Sequence, residues 1–427
     1  RPPRSTLFPY TTLFRSGFNI LAWLALELWL GGEYFDNEEW SQIGEKAIEE
    51  IIAEQHVDGY WVDSEGRGPA VRYNYVTTHA VGVYYLITHN MRAYDALKKA
   101  LEFHMNLTYP DGIPIETADE RNRYSIKYNS LWGHVSFNIF PNGRRYSRLL
   151  LSKGGAIDTP RSAFDGAFAA DSMRWYIEDN EAEIPQDEEA SIYMMTQPLL
   201  VRKKGPWTYC ISGITHPLPG GRYHMLRQNY LSIWHMKKGL IMGGGNSIDD
   251  PDFSTFVFGD AIAADKGEVH TEENGDVLHL KYGTSTGTVC FKVIDDNRMK
   301  LQVMMEGLKS SEEFNLCTSK ALNRFQLPLV GLKEGMKLVT SKGINVICEQ
   351  EPILLHEKDI GEWLQFDGIR IRYCDTFKWP VYPQDPYDPK KRSSIDDAVG
   401  LVTIKGKGDI EDREDIGIIE IEIMGER

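Results

Sequence analysis

Cysteine is sparse and unpatterned in this chain. Its five cysteines (Cys210, Cys290, Cys317, Cys348 and Cys374) are odd in number and include no Cys-x-x-Cys pair, so neither a disulfide framework nor a zinc site is indicated. Long apolar runs are missing as well. The run Phe18–Leu30 has thirteen residues and contains Glu27, too short and too polar to span a bilayer, so it reads as a buried helix and no membrane association is expected. Excess positive charge is also absent. A net charge of −15 argues against a nucleic-acid partner, whose footprint would be basic. The triplet Gly243-Gly-Gly245 leads into Asn246-Ser247 with no helical pattern after it, so it is a turn and not a phosphate cradle. No cofactor or metal is implied.

What remains is a globular composition, 42% apolar and 11% aromatic, which suits a large core and carbohydrate stacking alike. Residues 6–16, Thr-Leu-Phe-Pro-Tyr-Thr-Thr-Leu-Phe-Arg-Ser, resemble the translation of a common short-read sequencing adapter over all eleven positions. Residues 1–16 are therefore set aside. Their arginines, placed before Phe18–Leu30, would otherwise imitate a signal peptide, and the native N-terminus is expected to be missing.

The N-terminal part has helical periodicity. Asn37 is a candidate N-cap for a helix with Trp40, Ile43, Ala47 and Ile51 on one face, and Tyr94, Leu97, Leu101 and Met105 repeat the spacing within 91–107. Each helix ends shortly before an Asp-Gly, at Asp58-Gly59 and Asp111-Gly112, with another helical run at about 72–87 between them. A unit of two helices recurring every 53 residues predicts a helical array or an (α/α) toroid, continued by Asn142-Gly143 and a helix over 162–178. The two Asp-Gly loops are expected on the same rim.

Seven of the twelve residues at 178–189 are acidic, the best linker in the chain. Beyond it, short β-branched or aromatic runs at 207–214, 230–236, 288–293, 300–305, 344–348 and 418–423, split by Gly, Asn and Asp, predict an antiparallel sandwich. The expected organisation is an incomplete (α/α) toroid over 17–178, an acidic linker over 179–190 and an antiparallel β-sandwich over 191–427.

One charge pattern runs against the rest. The segment 121–157 holds seven Lys or Arg and no Asp or Glu. It follows the loop Asp111-Gly-Ile-Pro-Ile-Glu-Thr-Ala-Asp-Glu-Arg-Asn-Arg-Tyr124. It reads either as the wall of a cleft for an anionic ligand or as a solvated basic helix face.

The order of helical array then sandwich, with an Asp-Gly-x-x-x-Glu…Tyr loop late in the helical part, resembles the heparinase II/III-like polysaccharide lyases. In motif the resemblance rests on 111–124 and on Asn74, which precedes Tyr124 by 50 positions. Two features depart from the family pattern: Tyr75 stands where His often follows the Asn, and the early His-x-His-x-Asp motif of the sandwich is absent.

The resemblance implies β-elimination on a uronate-containing acidic polysaccharide by a periplasmic or secreted enzyme. Asn74, with Arg121 or Arg123, would neutralise the uronate carboxylate, and Tyr124 would exchange the proton. His79 would assist from the opposite side, and a sandwich histidine, His224 or His216, would close the cleft. Trp61, Tyr75 and Glu116 would contact sugar.

Other readings stay open at this stage. His79 lies in an apolar helix and His104 on a core stripe, where a satisfied interior histidine is the ordinary outcome. Trp61 and Trp132 suit a core as readily as a sugar platform. A toroid-type glycoside hydrolase would use Asp58 with Asp111, or Glu116 with Asp119. A glycan-binding protein would have the architecture without the chemistry.

Overall fold

The computed structural model describes residues 17–62, 68–119, 134–153, 170–171, 173–215, 227–244, 250–307, 323–384, 393–405 and 415–425. They form two compact units, one holding the described residues up to Glu188 and the other those from Glu189 onward.

The first unit is helical: α1 (Phe18–Tyr34), α2 (Glu38–Ala53), α3 (Val71–Thr88), α4 (Met91–Asn106), α5 (His134–Phe137) and α6 (Pro141–Lys153). Helix α1 packs on α2 and α3, α3 on α4 and α5, and α2 on α4. The first helices of successive pairs thus line one layer and the second helices another. Close crossing within the first pair depends on Gly44, where a Cβ would lie 2.4 Å from the backbone nitrogen of Trp29. Trp23 of α1 meets the ring of His79 on α3, and Trp29 meets Tyr84 further along both helices, so α1 and α3 run parallel.

The 53-residue period is present in the local geometry. Asp36 and His89 both have left-handed backbone, with φ of 50° and 55°. The next residue in each case is an asparagine N-cap: Asn37 accepts from the Trp40 N–H, and Asn90 from the N–H groups of Arg92 and Ala93. The turn after each second helix is also duplicated. Gly59 N–H donates to His56 O and His56 N–H to Tyr60 O; Gly112 N–H donates to Tyr109 O and Tyr109 N–H to Ile113 O. Both glycines have positive φ, 91° and 84°, a backbone that other residues adopt only with strain. Because α1 and α3 are parallel, α2 and α4 are too, and both Asp-Gly turns leave the same end of the array. The six described helices pack as successive hairpins; ring closure is not among the described features.

The segment after the helices is irregular from Tyr176 and mostly exposed. It is nevertheless tied down. Ile184 is buried, and the Gln186 amide donates to the carbonyls of Met105 and Thr108. Helix α6 supplies the remaining anchors: Arg144 holds Asn180, Arg145 pairs with Asp187, and Arg148 reaches Glu181 at 2.5 Å. Three of the seven cations in the acid-free segment therefore face the acidic segment of the same unit.

The second unit is antiparallel throughout its described pairings. Its first sheet is a five-stranded meander of β1 (Ala190–Met194), β2 (Leu199–Lys204), β3 (Trp207–Ser212), β4 (Leu231–His235) and β5 (Gly239–Met242). The later strands are β6 (Phe256–Val257), β7 (Lys266–Glu272), β8 (Gly275–Tyr282), β9 (Ser285–Asp295), β10 (Arg298–Glu306), β11 (Arg324–Leu329), β12 (Lys337–Thr340), β13 (Asn345–Ile347), β14 (Ile353–His356), β15 (Trp363–Phe366), β16 (Ile369–Arg372), β17 (Thr376–Val381), β18 (Val399–Lys405) and β19 (Asp415–Ile423). They form a nine-stranded sheet, in the order β13-β12-β15-β16-β19-β10-β9-β8-β7, and a five-stranded sheet, β14-β17-β18-β11-β6.

All three sheets contribute to one core, from Trp207 and Ile233 through Leu278 and Leu301 to Leu327 and Val402. Strand alternation shows why. In β10, Met299, Leu301, Val303 and Met305 face the core, while Arg298, Gln302 and Glu306 face out. The first two sheets are also bolted by a charged cluster. The Arg202 guanidinium of β2 binds the buried Asp276 carboxylate of β8, with Nη2 2.7 Å from Oδ1, and Tyr209 Oη donates to the same carboxylate at 2.6 Å. These two partners hold the Asp276 carboxyl below the ordinary carboxylate range against the opposing effect of burial.

Candidate functional site

Helix α3 carries the sequence Tyr-Asn-Tyr-Val-Thr-Thr-His at 73–79, and from Asn74 to Gly82 every residue is buried. A helix enclosed on all sides must satisfy its polar side chains internally. Asn74, 1% exposed, does so with residues from two other places in the chain. Its amide oxygen accepts the backbone N–H of Trp61, just past the first Asp-Gly turn, at 2.9 Å. Its amide nitrogen lies 2.9 Å from Nε2 of His104 on α4.

The His104 ring is itself clamped, stacked on Tyr75 with centroids 3.7 Å apart and planes 19° apart. A chain of hydroxyls then runs beneath it. Thr108 Oγ1 donates to the His104 carbonyl at 2.7 Å, Tyr146 of α6 lies 2.7 Å from Thr108 Oγ1, and Tyr75 lies 2.5 Å from Tyr146. Tyr146 Oη also donates to the His104 carbonyl at 3.2 Å, and within the Tyr75–Tyr146 and Tyr146–Thr108 pairs either hydroxyl can be the donor. Burial pushes both phenols up, Tyr146 to about 12 and Tyr75 well above the ordinary tyrosine value. These are protonated structural phenols, not the depressed phenol that a catalytic base requires.

His79 lies five positions after Asn74, about 140° further round the helix, so the two side chains diverge. The His79 side chain is 0% exposed and its Nε2 lies 3.2 Å from Asp171 Oδ2, with the Trp23 ring 5.5 Å away. Burial lowers its pKa, while Asp171 opposes the shift; the hydrogen bond from His79 in turn lowers that of Asp171.

Glu116 stands in the 3-10 turn Glu116–Ala118 that follows the second Asp-Gly. It is 7% exposed and accepts the Tyr109 hydroxyl at 3.0 Å, and Asp119 is 4% exposed. Trp61 is interior, its indole N–H donating to the Ile51 carbonyl at 2.7 Å. Asp58 sits 3.3 Å from His56 Nδ1, and Asp111 accepts the Ile113 N–H at 3.1 Å, the local bonding that Asp makes in a turn.

The structure therefore brings Asn74, Tyr75 and Trp61 into one buried cluster and sets His79 and Glu116 apart from it. Tyr124, Arg121, Arg123, His224, His216 and Trp132 lie outside the described residues. Sequence reasoning missed His104 as a partner of Asn74, and also Thr108, Tyr146 and Asp171. The one signal for His104 was a polar residue on the apolar stripe of Leu97 and Leu101. Among the described residues, no group of three His, Cys, Asp or Glu side chains could hold a metal ion, and no helix is long and apolar enough to cross a membrane.

No family model matches the chain, and no curated protein matches it. Among solved structures it is similar to heparan sulfate lyase HepC from Pedobacter heparinus, with 12% identity and a TM-score of 0.49 over 95% of this chain. The chain spans 60% of the length of that structure.

Proposed function

We propose that this chain cleaves a uronate-containing anionic polysaccharide by β-elimination, at a site built on Asn74. The observation that supports the reading is the fixed amide: one oxygen contact, one nitrogen contact, and a second amide N–H with no partner among the described residues. A rigid neutral donor suits a uronate carboxylate, which gains charge as the adjacent C5 proton leaves, and it needs no reorganisation during the step. Tyr124 would take that proton and return it to the departing glycosidic oxygen, with Arg121 or Arg123 beside the carboxylate. Arg144, Arg145 and Arg148 are engaged with the acidic segment, and the reading rests on Arg121 and Arg123 instead.

Incubation of the purified protein with a panel of uronate polymers tests the reading. Ultraviolet absorbance from an unsaturated product is expected, and Tyr124→Phe should abolish it while leaving the circular dichroism unchanged. Absence of unsaturated product from every polymer would sink the lyase assignment. One observation favours a second reading: Glu116 and Asp119 are both buried carboxylates within four residues. New reducing ends without ultraviolet absorbance would move this hydrolase pair ahead.

A further inference from the structure

The amide of Asn74 fixes the proton position on a buried histidine. The argument starts from the backbone N–H of Trp61, which can only donate. The Asn74 atom 2.9 Å from it is therefore the amide oxygen, and the orientation of the amide is set. The amide nitrogen, which can only donate, must then face Nε2 of His104 at 2.9 Å. That ring nitrogen must accept, so the ring proton sits on Nδ1 and the imidazole is neutral. The ring has little freedom to escape this arrangement. It is 0% exposed, stacked on Tyr75 and flanked by Phe103 at 5.1 Å and Phe137 at 5.6 Å.

We propose that His104, as the neutral Nδ1–H tautomer, is the positioning residue for Asn74, and that its protonation releases the amide. An imidazolium would set an N–H of Nε2 against the amide NH2, two donors facing each other. Turning the amide to offer its oxygen would cure that conflict but leave the Trp61 N–H, also buried, facing another donor. One orientation satisfies both partners only while His104 is neutral. The titratable group stacked on the ring in the contacts described is the phenol of Tyr75 on α3, and Tyr146 on α6 bonds to the His104 carbonyl; both phenols are kept uncharged by burial. The effect on turnover rests on the β-elimination reading; the tautomer does not.

The test uses the full chain labelled with 15N in histidine. Long-range 1H–15N spectra near neutral pH should show His104 with a proton-free Nε2 and a protonated Nδ1. Acidification should shift the His104 ring together with the Trp61 backbone amide and the Asn74 side-chain amide. An Nε2–H tautomer or an imidazolium at neutral pH would overturn the proposal. His104→Gln offers an acceptor near the Nε2 position that does not titrate, whereas His104→Leu offers none.

On the uronate polymer that the wild type cleaves, His104→Leu should lose about a hundredfold in kcat with KM little changed. His104→Gln should recover most of the rate and lose the acid limb of the pH profile. Equal rates for His104→Leu and wild type would count against the positioning role. If no polymer is cleaved, the coupled shifts still decide this proposal: their presence sustains it while the reaction assignment falls, and their absence removes it.

Discussion

Arg144 and Asn180, 36 residues apart, are joined by three hydrogen bonds. Arg144 Nε and Nη2 donate to the Asn180 carbonyl at 2.8 and 2.7 Å, and Nη2 also reaches Oδ1 at 3.1 Å. A fourth, from Nη1 to the Asn138 carbonyl at 2.9 Å, ties the loop before α6 to the same guanidinium. A cation that in sequence belongs to a basic segment is, in the fold, a clamp on the acidic one.

Arg144→Ala should therefore destabilise the helical unit by about 2 kcal/mol, since it strips the buried Asn138 of its donor and frees Asn180. It should also open the segment 176–183 to limited proteolysis. Arg148→Ala, which removes one largely exposed ion pair, should change stability by less than about 1 kcal/mol and leave the digestion pattern unaltered. Equal behaviour of the two variants would show that the clamp is not where the segment is held.

Gly59→Ala and Gly112→Ala should both destabilise. Each forces a positive φ on alanine, a cost of about 1–3 kcal/mol. At Gly59 the new Cβ would also lie 2.2 Å from the backbone carbonyl oxygen of Lys99, a group that cannot move aside without shifting α4. Thermal denaturation should show a lower melting temperature than wild type for each variant.

Asp276 makes the sandwich sensitive to acid. Its folded-state pKa lies below that of the unfolded chain, so its contribution is complete above about pH 3.9 and is lost as pH falls through the folded value. Asp276→Asn leaves Arg202 without its counter-charge and should cost about 3 kcal/mol near neutral pH. Its stability should then fall less steeply than wild type in acid. A parallel acid profile would show that other carboxylates set the slope.

His79 acts in a different, less acidic window and in the same direction. Burial lowers its folded pKa, so as pH falls below about 6.5 the unfolded chain takes up the proton first and stability declines. His235 is lowered by burial too and shares the window. His79→Gln should flatten part of the decline in melting temperature on acidification, and His79→Gln with His235→Gln more of it. An unchanged slope in the double variant would place the sensitivity elsewhere.

The elements were more legible than their partnerships. Periodicity located α2 and α4, with Asn37 marking the start of α2, and the Asp-Gly pairs marked turns that share one hydrogen-bond pattern. The runs read as strands at 207–214, 230–236, 288–293, 300–305, 344–348 and 418–423 fall on β3, β4, β9, β10, β13 and β19. Each of these signals lies in neighbouring residues. Nothing in neighbouring residues says that Arg144 will bind Asn180, that Asn74 will orient against His104, or that His79 will meet Asp171, because tertiary packing chooses those partners. The basic segment shows the same limit: its charge is evident in sequence, and the engagement of Arg144, Arg145 and Arg148 with the acidic segment is not. An incomplete toroid was expected, and the six described helices give successive hairpins that do not by themselves establish one.

The position of β19 has a consequence for synthesis. In the nine-stranded sheet it lies between β16 and β10, joining the four strands drawn from 337–372 to the four drawn from 266–306. It also follows every other described strand in chain order. A ribosome therefore releases two half-sheets, each with an unpaired edge, before the strand that unites them exists. The helical hairpins, whose contacts span short stretches of chain, can assemble as they emerge, whereas the sandwich waits for its final strand. During that interval the exposed edges of β10 and β16 are the places where a nascent chain would pair wrongly or recruit a chaperone.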